Sequence, residues 1–141
     1  MRILIADDNA LVRKALHYVL EGHEGWSVCC EAQDGFEAVE QARKYNPDLV
    51  LLDLAMPHLS GLQAAARISM LLPSTLLIIL TLYDTPLVRA EANNIGVLQV
   101  VPKTDGRSLV ATIEGLLQKL RIPDVEAAET LAPKIKPNFV I

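Results

Sequence analysis

Short apolar runs alternate with longer amphipathic stretches over most of this chain. The apolar runs lie at Arg2–Ala6, Trp26–Ala32, Leu49–Leu52, Thr75–Leu80 and Leu98–Val101. Runs of this length that are bounded by glycine, proline or polar residues predict β-strands. The third run is continuously apolar, which is typical of a strand buried on both faces of a parallel sheet.

An amphipathic stretch with helical periodicity follows each apolar run. In the first stretch, apolar residues recur on one stripe from Leu11 to Leu20, and Asp8 or Asn9 could cap its start. The later helices are predicted after Asp34-Gly35, from Gly61 to about Leu72, from about Pro86 to Asn94 with a C-cap at Gly96, and across Leu109–Leu120.

Strands that alternate with helices in this way predict a fold of the α/β class, a doubly wound parallel sheet of five strands with helices on both faces. Proline lacks the N–H that a strand ladder needs, so the fifth strand, which runs into Pro102, is expected at an edge of the sheet. In such sheets ligands bind beyond the carboxyl ends of the strands. Polar residues at those ends are therefore the first candidates for function.

The chain has 141 residues and a hydrophobic content of 51%, which is enough for one domain with a full core. We assign residues 1–122 to this domain and the proline-punctuated residues 123–141 to a C-terminal tail or interdomain linker. A net charge of -4 argues against a general binder of nucleic acid or anionic membranes. Neither a membrane span nor a secretory signal is evident. We therefore expect a cytoplasmic protein without a membrane partner.

The only cysteines of the chain, Cys29 and Cys30, are adjacent in the second predicted strand. Neighbouring side chains of a regular strand point to opposite faces. We therefore expect neither a metal pair nor a disulfide from these two residues, in keeping with a reducing compartment.

Four of the predicted strand ends carry residues that could act together. Asp7 and Asp8 follow the first strand, Asp53 the third, Thr81 the fourth and Lys103 the fifth. Each has an ordinary explanation alone, because acids after strands cap helices, threonine is common in strands and edge lysines are solvated. Their joint occurrence at one edge of the sheet predicts a site.

Physical chemistry indicates what such a cluster would bind. Neighbouring carboxylates repel by on the order of 1–4 kcal/mol per pair. A hard divalent cation relieves this repulsion, and Mg²⁺ suits a site made of carboxylates, water and phosphate. An aspartate is also a competent phosphoryl acceptor, and the phosphoryl oxygens need cationic and hydroxyl partners. Lys103 and Thr81 could supply them.

From Met1 to about Ile122, the sequence resembles the receiver domain of bacterial two-component response regulators. The resemblance rests on Thr81, on Gly61 and on the motifs ILIADDN, DGFEA, PDLVLLDLAMP and PKT. Three stretches, DDNALVRKAL, LTLYD and VPKTD, are most similar to receivers that carry a LuxR-type helix-turn-helix output domain. The resemblance implies a flavodoxin-like sheet with the strand order 2-1-3-4-5.

The resemblance also implies roles for the acidic residues. Asp53 would accept a phosphoryl group from a histidine kinase or a phosphotransfer protein. Asp8, Asp53 and the backbone carbonyl of Ala55 would hold Mg²⁺, and Asp7 would assist through water. Side chains at Ala55 and Tyr83 would flank the phosphoryl group and tune its hydrolysis.

Thr81 and Lys103 would bind the phosphoryl oxygens. In the family, the hydroxyl then moves toward the phosphoryl group, shifts the loop after strand four and repacks the face of helix four, strand five and helix five. The aromatic residue that often swings inward on strand five is replaced here by Val100. A backbone shift or Tyr83 would then carry the signal, although Tyr83 is equally well explained as a half-buried loop tyrosine.

A DNA-binding output domain needs roughly 50 or more residues, more than follow the receiver here. We therefore expect DNA contact only through an output domain absent from this chain, which is either a truncated receiver or a stand-alone one. The apolar end Phe139–Ile141 suggests a tail that docks on this domain or on a partner. Helices one and five, and the face of helices four and five, are candidate surfaces for a homodimer.

Three other classes compete with a phosphoacceptor switch in transcription regulation. A phosphohydrolase of the haloacid dehalogenase type would carry a second aspartate two residues after the nucleophile, where Ala55 stands. A flavin or nucleotide binder would have a phosphate loop rich in small residues after strand one, rather than Asp7 and Asp8. The main alternative is a phosphorylation-independent pseudo-receiver that serves as an interaction module. We do not expect a turnover enzyme.

Overall fold

The structure is a computed structural model that describes residues 1–103 and 106–121. Strands and helices alternate along this part of the chain: β1 (Arg2–Ala6), α1 (Ala10–Glu21), β2 (Ser27–Ala32), α2 (Gly35–Tyr45), β3 (Leu49–Asp53), α3 (Gly61–Leu71), β4 (Leu76–Thr81), α4 (Pro86–Ile95), β5 (Gln99–Pro102) and α5 (Gly106–Arg121). The described residues do not include Thr104 of the PKT motif or the tail of residues 123–141. The expected docking of that tail therefore lies outside them as well.

The strands form one parallel sheet in the order β2-β1-β3-β4-β5. This confirms the predicted fold class, the strand order and the edge position of β5. The strand ends differ from the predicted ones by no more than one residue, which is the usual uncertainty of such boundaries. None of the helices in the described ranges is long and apolar enough to cross a membrane.

Helices on both faces of the sheet divide the core into two clusters. Val50 and Leu52 of β3 belong to the cluster that includes residues of α2 and α3, whereas Leu49 and Leu51 belong to the cluster that includes residues of α1 and α5. All four side chains are at most 1% exposed. β3 is therefore buried on both faces, as its apolar run predicts, and packing on both sides fixes the position of its last residue, Asp53.

Polar side chains begin the helices that follow β1 and β3. Asn9, rather than Asp8, caps α1, because its Oδ1 accepts hydrogen bonds from the N–H groups of Leu11 (2.9 Å) and Val12 (3.3 Å). Ser60 and Gln63 form a capping box at the start of α3. Asp8 therefore has no role in capping α1.

Leu11 does not lie on the buried stripe of α1, contrary to the prediction. It is 78% exposed, whereas Leu20 on the same helix is completely buried. Successive residues are roughly 100° apart around a helix, so Leu11 falls well outside the arc that contains Val12, Leu16 and Val19. The prediction placed Leu11 on the buried stripe only because it is apolar.

The prediction that Cys29 and Cys30 point to opposite faces is also wrong. The pairing of β1 with β2 passes from Ile3–Val28 directly to Leu4–Cys30, so that Cys29 is an extra residue on β2. Such a β-bulge interrupts the regular alternation of side chains. The two sulfur atoms lie 3.4 Å apart.

Gly61, the first residue of α3, packs directly against the end of β3. A Cβ atom at this position would lie 2.2 Å from the backbone oxygen of Asp53. The Gly61 N–H donates to the oxygen of Leu54 over 2.9 Å, which ties the start of α3 to the loop after β3. Glycine is therefore required here by close backbone approach rather than by an unusual φ angle.

Replacing Gly61 by alanine should destabilise the fold, because the added methyl group would force backbone apart in a packed region. We expect Gly61→Ala to lower the free energy of unfolding by about 1–3 kcal/mol, the usual cost of overpacking. Urea denaturation monitored by circular dichroism measures this change.

Gly115→Ala in α5 is the matched control, since a Cβ at Gly115 would meet nothing within 4 Å. The greater helix propensity of alanine should stabilise this variant by about 0.5–1 kcal/mol. Equal effects of the two substitutions would contradict the account of Gly61.

Candidate functional site

The carboxyl ends of four strands meet at one cavity of about 510 Å³. Its polar lining includes Asp7 and Asp8 after β1, Asp53 at the end of β3, Thr81 at the end of β4 and Lys103 after β5. Parallel strands bring their carboxyl ends to the same edge of a sheet. The five residues selected from the sequence are thus brought together by the strand order alone.

The three acidic residues of the cavity form one compact group. Asp7 is 1% exposed and Asp53 is 7% exposed, whereas Asp8 faces solvent. One carboxylate oxygen from each of the three lies within 4.8 Å of the others. Carboxylate oxygens are the ligands that hard divalent cations prefer, so the donor set fits Mg²⁺.

Lys103 connects two of these carboxylates. Its Nζ lies 2.5 Å from Oδ2 of Asp7 and 3.1 Å from Oδ1 of Asp53. Burial opposes the charge on this ammonium, but its hydrogen bonds to Asp7 and Asp53 outweigh burial and raise the pKa of Lys103 above its usual value. Lys103 is therefore a firmly charged donor at the centre of the site.

Asp53 is less easily ionised than an ordinary aspartate. Burial is the main cause: it raises the pKa of Asp53, the hydrogen bond from Lys103 lowers it, and the charge of Asp7 raises it again. A backbone hydrogen bond from Ala55 also favours the ionised form. The net effect is a raised pKa, so the ionised carboxylate makes the folded state less stable when no cation is bound.

Thr81 joins the site to the loop that follows β4. Its side chain is buried, and its Oγ1 accepts a hydrogen bond from the N–H of Tyr83 over 2.8 Å. The N–H of Lys103 in turn donates to the backbone oxygen of Thr81 over 2.9 Å. One residue thus contacts both the Tyr83 loop and the chain segment that carries Lys103.

Tyr83 and Ala55 also line the cavity, as expected for residues that flank a bound group. Tyr83 is 68% exposed, however, so the interpretation of it as a half-buried loop tyrosine is wrong. It follows Leu82, which is 72% exposed, and precedes Leu87 of α4, which is 69% exposed. The loop after β4 therefore presents apolar surface close to the site.

Two contacts of Asp7 were missed by sequence reasoning. Arg13 donates from Nη1 to the backbone oxygen of Asp7 over 2.7 Å and pairs through Nε with Glu31 of β2 at 3.2 Å. The N–H of Asn9 donates to Oδ1 of Asp7 over 2.9 Å. The position of Arg13 one turn after the cap Asn9 was the available signal, but an arginine at the start of a helix is also common on solvated surfaces.

Fold and site together define a doubly wound α/β protein with a lysine-bridged acidic pocket at the carboxyl edge of its sheet. The chain belongs to the response regulator receiver domain family, whose model matches residues 3–130. Receiver domains of this family act in two-component signal transduction and interact with histidine kinases and phosphotransfer proteins.

Individual relatives agree with this assignment. The oxygen regulatory protein NreC of Staphylococcus haemolyticus is 42% identical over 85 residues, which are 60% of this chain and 39% of NreC. A protein-glutamate methylesterase/protein-glutamine glutaminase of Caldanaerobacter subterraneus subsp. tengcongensis is 33% identical over 136 residues, 94% of this chain and 37% of that protein. The chain spans less than half the length of these two relatives.

The fold is also similar to that of a solved LuxR-family two-component response regulator from Aurantimonas sp. SI85-9A1. The two superpose with a TM-score of 0.78 and 28% sequence identity, covering 94% of this chain and 96% of the other. The similarity to LuxR-type receivers that the sequence motifs indicate is thereby confirmed.

Replacing Asp53 by asparagine should stabilise the protein at neutral pH in buffer without divalent cations. Because the folded pKa of Asp53 lies above the unfolded value, this group contributes stability below the ordinary value of 3.8, and that contribution is lost as pH rises through the folded pKa. Asp53→Asn removes the cost of burying the ionised carboxylate. The variant should therefore have a higher free energy of unfolding than the wild type at neutral pH, and the difference should vanish in acid. Urea unfolding of both proteins at neutral and at acidic pH measures this difference.

Asp34→Asn is the control, since Asp34 caps α2 through a 2.8 Å bond from the N–H of Glu37 and asparagine caps equally well. We expect little change in stability from this substitution. A variant Asp53→Asn that is less stable than the wild type at neutral pH would contradict the account of the site.

Proposed function

We propose that this chain is a phosphoacceptor switch in which Asp53 receives a phosphoryl group from the phosphohistidine of a histidine kinase or phosphotransfer protein. In this step the bond between phosphorus and the histidine nitrogen breaks, and a bond from phosphorus to an Asp53 carboxylate oxygen forms. The observation that carries the proposal is the 3.1 Å contact between Lys103 Nζ and Asp53 Oδ1 in a pocket that also contains Asp7, Asp8 and Thr81.

Mg²⁺ is the cofactor of the proposed reaction. Asp8, Asp53 and the backbone carbonyl of Ala55 would hold it, with Asp7 assisting through water. When bound, the cation neutralises negative charge on the phosphoryl oxygens and on the clustered carboxylates. The support on this chain is the approach of three carboxylates to within 4.8 Å of one another.

Lys103 and Thr81 would bind the remaining phosphoryl oxygens. Phosphoryl transfer depends on positioning and on charge stabilisation of the equatorial oxygens more than on covalent help from the protein. The ammonium of Lys103 already lies between two acidic side chains, so an arriving anion would find a positioned cation. The Thr81 hydroxyl lines the same cavity and can donate its proton to an oxygen.

The Thr81 hydroxyl would also transmit the signal. Movement of Oγ1 toward the phosphoryl group would break its 2.8 Å bond from the N–H of Tyr83 and release the loop after β4. That loop leads into α4, so its shift would repack the face made by α4, β5 and α5. β5 has Val100 in place of the usual aromatic residue, so this transmission would not use an aromatic side chain of β5.

The biological setting follows from the same proposal. We place the protein in the cytoplasm, with residues 1–122 as the receiver and residues 123–141 as a tail or linker. The LuxR-family relative favours transcription regulation, with DNA contacted by an output domain rather than by the receiver. The chain itself would be a switch that gains and loses a phosphoryl group, not a turnover enzyme.

Incubation with Mg²⁺ and acetyl phosphate, followed by intact mass measurement, tests the proposed function. The wild type should gain one phosphoryl group, and chelation of Mg²⁺ should abolish the gain. Asp53→Asn should gain none, because the acceptor oxygen is lost. Lys103→Ala should be phosphorylated at least tenfold more slowly, because it loses a cation that stabilises the charge of the transition state. A loss of about 1.4 kcal/mol of this stabilisation lowers the rate tenfold.

Asp34→Asn, which removes a carboxylate outside the cavity but keeps its cap, should be phosphorylated like the wild type. A wild-type protein that stays unmodified would favour the phosphorylation-independent pseudo-receiver. Phosphorylation that persists in Asp53→Asn would show that another residue is the acceptor.

A further inference from the structure

The sulfur atoms of Cys29 and Cys30 face each other at the edge of the sheet. Their Sγ atoms are 3.4 Å apart, and the Cys29 thiol also donates to the backbone oxygen of Ile3 over 3.5 Å. Both residues are half-buried, and β2, which carries them, has a neighbouring strand on one side only. They form a dithiol on adjacent residues, within reach of small reagents.

The local fold creates this arrangement. In a regular strand the two thiols would point to opposite faces. Here Cys29 has no partner in the ladder between β1 and β2, because Leu4 pairs with Cys30 and Ile3 pairs with Val28. The extra residue of this β-bulge brings the two sulfurs together.

We propose that Cys29 and Cys30 are a site of reversible oxidation, at which a small-molecule disulfide converts the dithiol to a disulfide between adjacent residues. The thiolate of Cys29 attacks one sulfur of the reagent, forming a mixed disulfide and expelling one thiolate. The sulfur of Cys30 then attacks the Cys29 sulfur and expels the second thiol. Two protein thiols are oxidised, and one reagent disulfide is reduced to two thiols.

The environment of Cys30 sets the order of the two attacks. Burial, together with the hydrogen bond and the charge of Cys29, raises the pKa of Cys30 to about 12. Since the thiolate is the nucleophile, Cys30 is a poor first attacker at neutral pH. Its distance of 3.4 Å from Cys29 Sγ makes it an effective second attacker, because the mixed disulfide is held beside it.

Such a disulfide would be easy to reduce. Adjacent Cα atoms across a trans peptide are about 3.8 Å apart, less than the roughly 4.4–6.8 Å found in ordinary disulfides. The resulting strain favours the reduced form, and strained disulfides are the labile and regulatory ones. The site is therefore suited to a reversible modification rather than to a permanent cross-link.

The experiment treats the reduced full chain with oxidised glutathione at mildly alkaline pH, blocks remaining thiols with iodoacetamide and measures the intact mass. The wild type should lose two hydrogen atoms and carry neither glutathione nor a blocking group, and excess reduced glutathione should restore both thiols. Cys30→Ser should stop at a mixed disulfide between glutathione and Cys29, because the second attacker is missing.

The same treatment in concentrated urea is the control for the fold. The fraction of chains with an internal disulfide, relative to those with two glutathione adducts, should be at least several times higher for the folded protein. Wild-type protein that carries two blocked thiols, two glutathiones or a link between chains would overturn the proposal. An equal fraction of internal disulfide in the folded protein and in urea would also overturn it. None of these readouts involves Asp53, so the outcome is independent of the proposed phosphorylation.

Discussion

Charge compensation at the carboxyl edge of the sheet is the interaction on which the arrangement of this domain depends. Asp7 and Asp53 are almost completely buried at the ends of β1 and β3, where two negative charges repel strongly. The ammonium of Lys103 contacts both. One strand, β4, separates β5 from β3, and two strands, β3 and β4, separate it from β1, so Lys103 reaches these acids across the sheet edge, which a long side chain permits. The ammonium offsets part of the repulsion between the two buried acids.

The rest of the fold supports these three side chains. Two-sided packing of β3 fixes Asp53, and Gly61 allows α3 to start directly against its backbone. Asp7 is bound through its backbone by Ala32 of β2 and by Arg13 of α1. The charged pocket is thus connected to β2, α1, α3 and β4 by short contacts, and a change of charge at Asp53 has several routes by which to move its neighbours.

Much of this could be predicted from sequence, because the relevant signals are local or follow from strand order. The apolar runs locate the strands, and polar residues that follow four of the five runs locate the site. Long-range contacts have no comparable signal in the sequence. Arg13 reads as an ordinary solvated arginine, because nothing in the local pattern shows that the fold places it beside Glu31 and Asp7. The bulge at Cys29 depends on how β2 pairs with β1, and hydrophobic periodicity does not encode pairing irregularities.

Identification of the residue that carries the phosphoryl group tests the proposed switch directly. After treatment with Mg²⁺ and acetyl phosphate, borohydride reduction converts an aspartyl phosphate to homoserine, and peptide mass spectrometry locates the modified position. We expect homoserine at position 53 alone. Homoserine at position 7, 8 or any other acidic residue, with Asp53 unmodified, would contradict it.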